Sequence, residues 1–411
     1  MANLVVKNFG PLKDVKVSFQ KISVFIGPQG SGKSTLARLY ASLSWIEKSL
    51  MRGNLKGKEL TAAYFRKIIA YVQIDGYLTY ETEIRYEGDY IHFEYLNGSV
   101  SFEILDGEYV LPKILHIPSE RSFLSLSDGI LFSNNLPSVF YELASDYSMA
   151  RNLLGEGGFY LPINGFRFTY SSSDAVSTIT DTRHSYSVLL NRAASGIQSA
   201  LPLSLVFSYY LDALLYEGKS GRSILSVQQR NRIQEIAKNF SSGKEISSDD
   251  VLSRVLLAAD INSIPSSRDE YEKMKDCLRR VVDMRLEAII EEPEQNLFPL
   301  AQKSMLEYLV RGINDNGGSL LLTTHSPYIL SSINNLVFAG ENCDKAGVND
   351  IIGKDIQLKY SDISAYFFHD GGCESILDHE MRNINPENID SCSAEINRVY
   401  SELEDIIYES R

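Results

Sequence analysis

Apolar and polar residues alternate along the chain in two patterns, one typical of strands and one typical of helices. Apolar runs of strand length, continuous or with a period of two, occur at residues 4–9, 15–19, 22–26, 113–117, 286–290, 319–323, 336–339 and 363–368. Segments compatible with helices occur at residues 35–50, 201–216, 269–282, 300–313 and 396–407. Strands that alternate with helices predict an α/β core on a mixed, largely parallel sheet.

Two segments interrupt this alternation. Residues 71–110 have a period of two with Gly-containing hairpin turns, which predicts an antiparallel meander, an antiparallel β subdomain after the first helix. Its aromatic side chains could stack on bases, but the glutamates between them favour packing within the sheet. Residues 123–284 are predicted to be mainly helical, with breaks at 155–158 and 171–173. The chain therefore divides into a nucleotide-binding lobe (1–122), an inserted helical lobe (123–284) and the second part of the first lobe (285–411).

Composition excludes several classes of protein. The chain has 411 residues, of which 44% are hydrophobic and 23% charged, as in an ordinary globular protein. A net charge of −13 argues against broad binding of nucleic acid and leaves DNA contact to a local basic patch. No apolar run is long enough to cross a bilayer, and from the first residues of the sequence no signal peptide is expected. The four cysteines show no zinc or disulfide spacing, so reduced thiols in the cytoplasm are expected.

The loop after the strand at 22–26 carries the clearest chemical signal. It has the pattern G-x-x-x-x-G-K-[ST] between a strand and a helix, and its residues are Gly27, Pro28, Gln29, Gly30, Ser31, Gly32, Lys33, Ser34 and Thr35. Glycines let backbone N–H groups turn inward, and the helix start adds unpaired N–H groups and a positive dipole end. Lys33 is expected to reach the β- and γ-phosphates of ATP, and the Ser34 hydroxyl to hold Mg²⁺.

The strand at 286–290 ends in two acidic residues that could complete a hydrolytic site. Side chains alternate along a strand, so two neighbouring acids at its end point in different directions and can take different roles. Glu291 is predicted to support Mg²⁺, and Glu292 to orient or deprotonate the attacking water. His325 directly follows the buried strand at 319–323, where it could donate to the γ-phosphate. The other five histidines (His92, His116, His184, His369 and His379) lack such a context and are interpreted as structural.

A second anion site is predicted at the start of the helix near residue 201. The segment Ala194-Ser195-Gly196-Ile197-Gln198 places small residues at a helix N-terminus. Because the phosphate loop already surrounds one side of a triphosphate, Ser195, Gly196 and Gln198 could close over a nucleotide held by another protomer. A plain helix cap explains the same residues equally well.

The order of the segments GPQGSGKST, SGIQ, EEPEQNLFP and TTHSP resembles the ABC-type ATPase heads of the OLD-like and AAA15/AAA21 group of prokaryotic ATPases, which are similar to SMC and Rad50 heads. The resemblance implies an ABC-type P-loop NTPase head. It implies the following roles: Lys33 and Ser34 in Walker A, Glu291 and Glu292 in Walker B, Ser195 and Gly196 as signature residues offered in trans, His325 as the switch histidine, Asn296-Leu297 as the D-loop and Glu120-Arg121 near the Q-loop. Ala194 and Ile197 depart from the transporter signature, and Glu291 stands where Asp is usual.

The resemblance also implies a function. By this resemblance the chain is similar to the ATPase subunits of PARIS-type or Septu-type anti-phage defence. In such a protein ATP would join two or more protomers head to tail. Such an assembly would sense a phage-encoded trigger and control a separate effector, a nuclease. One alternative is a DNA-maintenance ATPase similar to RecF or SMC heads, against which the negative charge and the missing coiled coil both count. Another is the ATPase subunit of a membrane transporter.

Overall fold

A computed structural model describes residues 2–107, 110–126, 137–163, 165–214 and 285–385 of the protein, and a few isolated positions elsewhere. The helices predicted at 269–282 and 396–407 lie outside these residues. The described strands are, in chain order, β1 Asn3–Phe9, β2 Leu12–Ser18, β3 Ile22–Ile26, β4 Glu83–Glu87, β5 Ile91–Leu96, β6 Ser99–Ile104, β7 Pro112–Ile117, β8 Phe159–Tyr160, β9 Phe166–Ser171, β10 Val176–Asp181, β11 Tyr186–Leu189, β12 Arg285–Glu291, β13 Ser319–Thr324, β14 Ile363–His369, β15 Gly372–Ser375, β16 Leu377–Asp378 and β17 Asn383–Ile384.

Helices connect and cover these strands. The α-helices are α1 Lys33–Met51, α2 Ala62–Tyr71, α3 Ser138–Gly155, α4 Ser195–Leu214, α5 Pro299–Asn316, α6 Pro327–Glu341 and α7 Val348–Ile351. Short 3₁₀ helices lie at Gly57–Glu59, Asp75–Tyr77, Ser119–Ser125, Leu190–Arg192, Lys354–Ile356 and Tyr360–Asp362. None of the helices in the described part of the chain is long and apolar enough to cross a membrane.

The main sheet has eleven strands in the order β6-β5-β4-β1-β2-β15-β14-β3-β13-β12-β7. Strands β14, β3, β13, β12 and β7 run parallel to one another. Strands β6, β5, β4, β1 and β2 form an antiparallel extension. The prediction of an α/β fold on a mixed sheet is confirmed.

The register of the parallel strands brings the predicted site residues to one edge of the sheet. Ile26 of β3 is opposite Thr324 of β13, and Thr323 is opposite Glu291 of β12. Ile290 of β12 is in turn opposite Ile117 of β7. The four strands therefore end together, and the segments that follow them share the carboxyl edge, where open α/β sheets bind ligands.

Alternate residues of the central strands pack into two separate cores. Val24, Leu320 and Leu322 pack on one face with residues of α3, α4, α5 and α6. Phe25 and Leu321 pack on the other face with residues of α1 and α2. Because both faces are covered by helices, these strands are continuous apolar runs, as is typical of buried parallel strands.

The meander predicted at 71–110 is present, but it begins later and has a different position. Residues up to Tyr71 are the end of α2, and the antiparallel strands are β4 to β6. They do not form a sheet of their own, because β4 pairs with β1 and so extends the main sheet. Their aromatic residues Tyr86, Phe93 and Tyr95 are buried, which agrees with packing rather than with an open stacking surface.

The tract predicted as mainly helical, residues 123–284, contains an unpredicted sheet in its described part. Strands β8 to β11 form an antiparallel sheet of four strands between α3 and α4. The burial of β10 alternates at every residue, which is the period of a strand with one covered face. The segment 171–173, interpreted as a break between helices, begins at the last residue of β9 and leads into the turn to β10.

The strand predicted at 336–339 is wrong, because these residues belong to α6. The buried residues of α6 include Ile329, Ile333, Leu336, Val337 and Gly340, which recur every three or four positions and form one helix face. Ser326 caps this helix by accepting a hydrogen bond from the Tyr328 N–H, and a proline occupies its first turn. The four-residue apolar run is too short to distinguish the period of a strand, two residues, from that of a helix, about 3.6 residues.

Candidate nucleotide-binding and hydrolysis site

The phosphate loop connects β3 to α1 and depends on glycine at two positions. Gly27 and Gly32 have φ angles of 152° and 100°. A Cβ atom would lie 2.3 Å from the Phe368 carbonyl oxygen at Gly27 and 2.4 Å from Leu12 Cδ2 at Gly32. The backbone can therefore approach β14 and the β1–β2 turn only without side chains, and this leaves a cradle of the kind that fits phosphate groups.

Lys33 is the first residue of α1 and is 4% exposed. Its Nζ donates hydrogen bonds of 2.8 Å to the carbonyl oxygens of Gly27 and Pro28 and one of 3.4 Å to Ser31 Oγ. Burial lowers the pKa of Lys33 to about 8, against the opposing charges of Glu292 and Glu294. The ammonium group is thus held inside the loop, where the oxygens of a triphosphate can replace carbonyl oxygens as its acceptors.

Glu291 ends β12 and is 1% exposed. Its carboxylate accepts two hydrogen bonds from Arg38, at 2.8 and 3.1 Å, and Oε1 lies 2.8 Å from His116 Nε2. Burial alone would raise the pKa of Glu291, but the hydrogen bonds and charges of His116 and Arg38 outweigh it and lower the pKa to about 2. The carboxylate is therefore ionised and bound on both oxygens.

Glu292 follows directly and has a different environment. Its φ angle of 46° lies in the left-handed region, which is unusual for a side chain of this size. Its N–H donates to the Thr323 carbonyl oxygen at 2.9 Å, and its Oε1 lies 3.7 Å from His325 Nε2. Burial raises the pKa of Glu292, and the charge of His325 partly offsets this shift. The predicted pair of Glu292 and His325 is thus brought together at the sheet edge.

Arg121 is fully buried and holds this edge through backbone carbonyl groups. Its guanidinium donates to the carbonyl oxygens of Glu291 and Glu292, both at 2.7 Å. It also donates to the carbonyl oxygens of Pro118 at 3.3 Å and Ser199 at 3.2 Å. Burial lowers the pKa of Arg121 to about 10. One side chain thus connects the acidic end of β12, the segment after β7 and helix α4.

The segment around His325 is fixed by Glu294. Oε1 of Glu294 accepts hydrogen bonds from Thr324 Oγ1 at 2.7 Å and from the His325 N–H at 2.8 Å. Ser326 Oγ donates to Gln302 Oε1 at 2.6 Å. The backbone on both sides of His325 is held, while its imidazole remains partly exposed beside Glu292.

The signature-like segment begins helix α4. Ser195 is exposed, and a Cβ atom at Gly196 would lie 2.7 Å from the Asn296 carbonyl oxygen, so these backbones touch. Gln198 contacts its own chain, since its Nε2 donates to the Leu190 carbonyl oxygen at 3.2 Å and its carbonyl oxygen accepts from Ser125 Oγ at 2.7 Å. Ser195 is therefore accessible at the surface, whereas Gln198 forms hydrogen bonds within its own chain.

The interpretation of the sequence missed several residues of this site. His116 was grouped with structural histidines, yet it contacts Glu291. Its position in the apolar run before the Pro-Ser-Glu-Arg segment was the available signal. Arg38 lies four residues after Ser34, hence on the same face of α1, a spacing that was not used. The sequence assigns Arg121 only a place near the Q-loop, and Glu294 only a place within the motif EEPEQNLFP.

The α/β fold, with the phosphate loop and the acidic strand end at one sheet edge, resembles that of P-loop ATPase heads. Residues 1–44 match the model of the AAA_15 family, described as an AAA ATPase domain. No curated protein sequence matches the chain.

Several solved structures are similar to the chain at low identity. They include the SMC head domain from Thermotoga maritima, with 9% identity, a TM-score of 0.35 and coverage of 91% of this chain and 97% of that one. The recombination mediator protein RecF has 10% identity, a TM-score of 0.27 and coverage of 91% and 97%. An ATP-binding cassette of an ABC transporter in its ADP conformation has 12% identity, a TM-score of 0.30 and coverage of 97% and 98%.

Proposed function

We propose that the protein binds ATP with Mg²⁺ on its phosphate loop and hydrolyses the γ-phosphate. The observation that carries this proposal is the meeting of three parts at one sheet edge: the glycine-dependent cradle with Lys33, the buried acid Glu291, and the adjacent pair Glu292 and His325. A phosphate loop alone supports binding, whereas hydrolysis also needs a group that orients water.

The residues present also fit Mg²⁺. Mg²⁺ prefers oxygen ligands and in nucleotide sites takes few of them from the protein, with phosphates and water supplying the rest. Ser34 offers a hydroxyl, and Glu291 is held by Arg38, which lies one helical turn after Ser34. Ser34 would hold the ion and Glu291 would support it. When bound, the ion would neutralise charge on the β- and γ-phosphates.

Glu292 is the proposed base that orients or deprotonates water. Partial burial raises its pKa, which makes the carboxylate a better proton acceptor than an exposed one. His325 Nε2 lies 3.7 Å from Oε1 of this carboxyl group, and His325 would donate a hydrogen bond to the γ-phosphate. Neighbouring groups with these two roles would support slow, regulated hydrolysis.

Assembly around ATP is the second part of the proposal. Ser195 is exposed at the start of α4, and Phe298 and Leu300, next to Asn296, are 74% and 65% exposed. Single exposed apolar residues are ordinary, but these lie beside a segment that contacts Gly196. A second protomer packed here would cover them and would bring its own triphosphate to Ser195.

The proposed biological role is control of a separate effector in anti-phage defence, in the cytoplasm. It is supported by the resemblance of the four sequence segments to OLD-like and AAA15/AAA21 ATPases. In this role the ATP-bound assembly would hold the effector, a nuclease, until a phage-encoded trigger changes the assembly. ATP would connect the protomers, and hydrolysis would limit the lifetime of the assembly.

The test is the mass in solution of the Glu292→Gln variant with and without Mg²⁺-ATP, measured by light scattering. Gln keeps the size of the side chain and removes the base, so we expect bound ATP, arrested turnover and a mass that rises to a dimer or higher. Lys33→Ala in the same background is the control and should show no rise. If ATP binding is verified and the mass stays unchanged, the assembly proposal is wrong.

A further inference from the structure

A cavity of about 380 Å³ lies beside His116, whose ring also contacts Glu291. It is lined by α1, α2, β7 and α3, and its walls are mainly apolar, with Trp45, Tyr64, Ile68, Val139 and Leu143 among them. A dry apolar cavity of about 150 Å³ can hold one benzene ring, so this one is large enough for a small aromatic molecule.

His116 is a buried polar group of this lining with one ring nitrogen unpartnered among the described residues. Its side chain is 9% exposed, and its Nε2 is bound to Glu291. Within the part of the chain that the structure describes, its Nδ1 has no hydrogen-bond partner. The acidic residues of the lining differ, since Glu142 accepts a hydrogen bond from Tyr71 and Asp146 one from Tyr210.

The bond to Glu291 leaves Nδ1 as the ring nitrogen available to a ligand. A carboxylate paired with arginine accepts hydrogen bonds and cannot donate them, so Nε2 of His116 carries the proton of this bond. Nδ1 is then the ring nitrogen left for a ligand, an acceptor in neutral imidazole and a donor in imidazolium. A buried polar nitrogen without a hydrogen-bond partner costs free energy, and a ligand that supplies the partner removes this cost.

We propose that this cavity is a binding site for a small, uncharged aromatic molecule that carries one hydroxyl group, with the hydroxyl hydrogen-bonded to Nδ1 of His116. The apolar walls contact the ring, and the ring nitrogen that the described residues leave unpartnered selects the hydroxyl and fixes its orientation. Because the same imidazole donates to Glu291, the occupant also keeps that carboxylate on His116 and Arg38. This regulatory consequence rests on the proposed function, in which Glu291 supports Mg²⁺.

The experiment uses two probes of nearly equal size, phenol and toluene, with the full chain and without nucleotide. Trp45 is the single tryptophan of the sequence and lines the cavity, so its fluorescence reports binding, with saturation-transfer NMR as a second readout. His116→Phe should weaken phenol binding about fivefold, the effect of one lost hydrogen bond, and leave toluene binding unchanged. His92→Phe, at an exposed position on β5, is the matched control and should change neither.

A second variant tests the location. Ala41→Phe fills the cavity from α1 and should abolish binding of both probes, and Ile68→Phe replaces it if that variant does not fold. Ala63→Phe, at an exposed position of α2, is the control. Equal weakening of phenol and toluene by His116→Phe, or binding that persists in a folded, filled variant, overturns the proposal.

The regulatory consequence is measured separately as ATP hydrolysis. Phenol should slow hydrolysis by the wild-type chain and have no effect on Ala41→Phe. If phenol binds at the cavity and hydrolysis is unchanged, the connection to Glu291 is overturned while the binding site stands. If the chain without phenol does not hydrolyse ATP, the proposed function fails, and the binding result is unaffected.

Discussion

Lys33 combines a charge with a buried position, and this makes nucleotide binding depend on pH. Burial lowers its pKa to about 8, so its ammonium group loses a proton at a lower pH than an exposed lysine does. Triphosphate binding favours the charged form. We therefore expect full affinity for ATP below about pH 8, lower affinity as the pH rises through that pKa, and proton uptake on binding there.

Titration calorimetry between about pH 7 and about pH 9 measures both effects. Lys33→Arg is the comparison, because a guanidinium stays charged across this range and removes the pH dependence from that position. Equal affinity of the wild-type chain at both ends of the range would contradict the assignment of Lys33 to the phosphate.

Glu292 and Arg121 show how an uncommon backbone conformation is maintained at the site. A left-handed φ in a residue with a long side chain costs of order 1 kcal/mol and persists only where the surroundings enforce it. Here the Glu292 N–H is bound to Thr323 and its carbonyl oxygen to Arg121. The two bonds on either side of Cα fix the direction of the carboxylate toward His325.

Arg121 is therefore a positioning residue, and Arg121→Lys should misplace Glu292. A lysine cannot donate simultaneously to the two carbonyl oxygens of the Glu291–Glu292 end in the geometry of a guanidinium fork. We expect kcat to fall about 10- to 100-fold, as for a catalytic group displaced by about 1 Å, with little change in KM for ATP. Steady-state phosphate release measures this split.

Arg66→Lys provides a matched control for that variant. Arg66 also donates to two carbonyl oxygens, those of Asp75 and Leu78, but on exposed α2 away from the acidic strand end. It should leave both kinetic constants near the wild-type values. A rise in KM with unchanged kcat for Arg121→Lys would indicate a role in binding instead of positioning.

Among the elements, α1 connects the phosphate loop to the core through hydrogen bonds of its second half that involve buried carboxyl groups. Ser44 donates to Glu287 of β12 at 2.7 Å, and Glu47 accepts from Tyr86 at 2.8 Å and from the Tyr90 N–H at 2.7 Å. Burial raises the pKa of Glu47 to about 7. The folded protein thus keeps a proton on Glu47 at a pH at which the unfolded chain has lost it.

The consequence is a stability that falls as the pH rises. Between the ordinary glutamate pKa of about 4.5 and about 7, the folded state binds more protons from Glu47 than the unfolded state does, so the free energy of unfolding decreases. Glu47→Gln removes this cost and should stabilise the protein by up to about 3 kcal/mol at pH 8, and far less at pH 5. Thermal midpoints at both pH values measure it.

Glu103→Gln, at an exposed position on β6, controls for the loss of one negative charge. It should shift the two midpoints equally or not at all. If Glu47→Gln has the same effect at both pH values, Glu47 does not titrate between them.

The elements that build the site could be predicted because their sequence signals are local. Strands β3, β12 and β13 are buried on both faces, so each is an apolar run that ends at a polar motif. The order of the motifs then indicated that these ends lie together. The four-strand sheet β8 to β11 was missed because its strands are short and rich in Ser and Thr, which resemble loop residues.

The contacts that set the chemistry could not be predicted in the same way. Arg38 binds an acid 253 positions later, His116 the same acid 175 positions later, and Arg121 a carbonyl group 170 positions later. Which polar side chains meet depends on strand order and register, and β3 has β13 and β14 as its neighbours, more than 290 residues away along the chain. The division into three sequence segments stays a prediction.

At the scale of the whole molecule, the distribution of charge favours ATP binding at a few positive positions, which two protomers could contribute together. The chain carries a net charge of −13, so a triphosphate is attracted only where cations are concentrated. Lys33 supplies one such place. Exposed Arg192, three residues before exposed Ser195, supplies another at the start of α4. A nucleotide between two protomers would contact both places, which gives assembly a physical reason to depend on ATP.

Ser195→Glu, introduced in the Glu292→Gln background, tests this arrangement. The substitution places a negative charge where the partner's triphosphate is expected, so the ATP-dependent rise in mass should be lost. Thermal stabilisation by ATP should remain, because Lys33 and the loop of the same chain are unchanged. Ser101→Glu adds the same charge on β6, the opposite edge strand of the sheet, and should assemble normally. Unimpaired assembly of Ser195→Glu would mean that this segment only caps α4, and that the protomers meet through another surface.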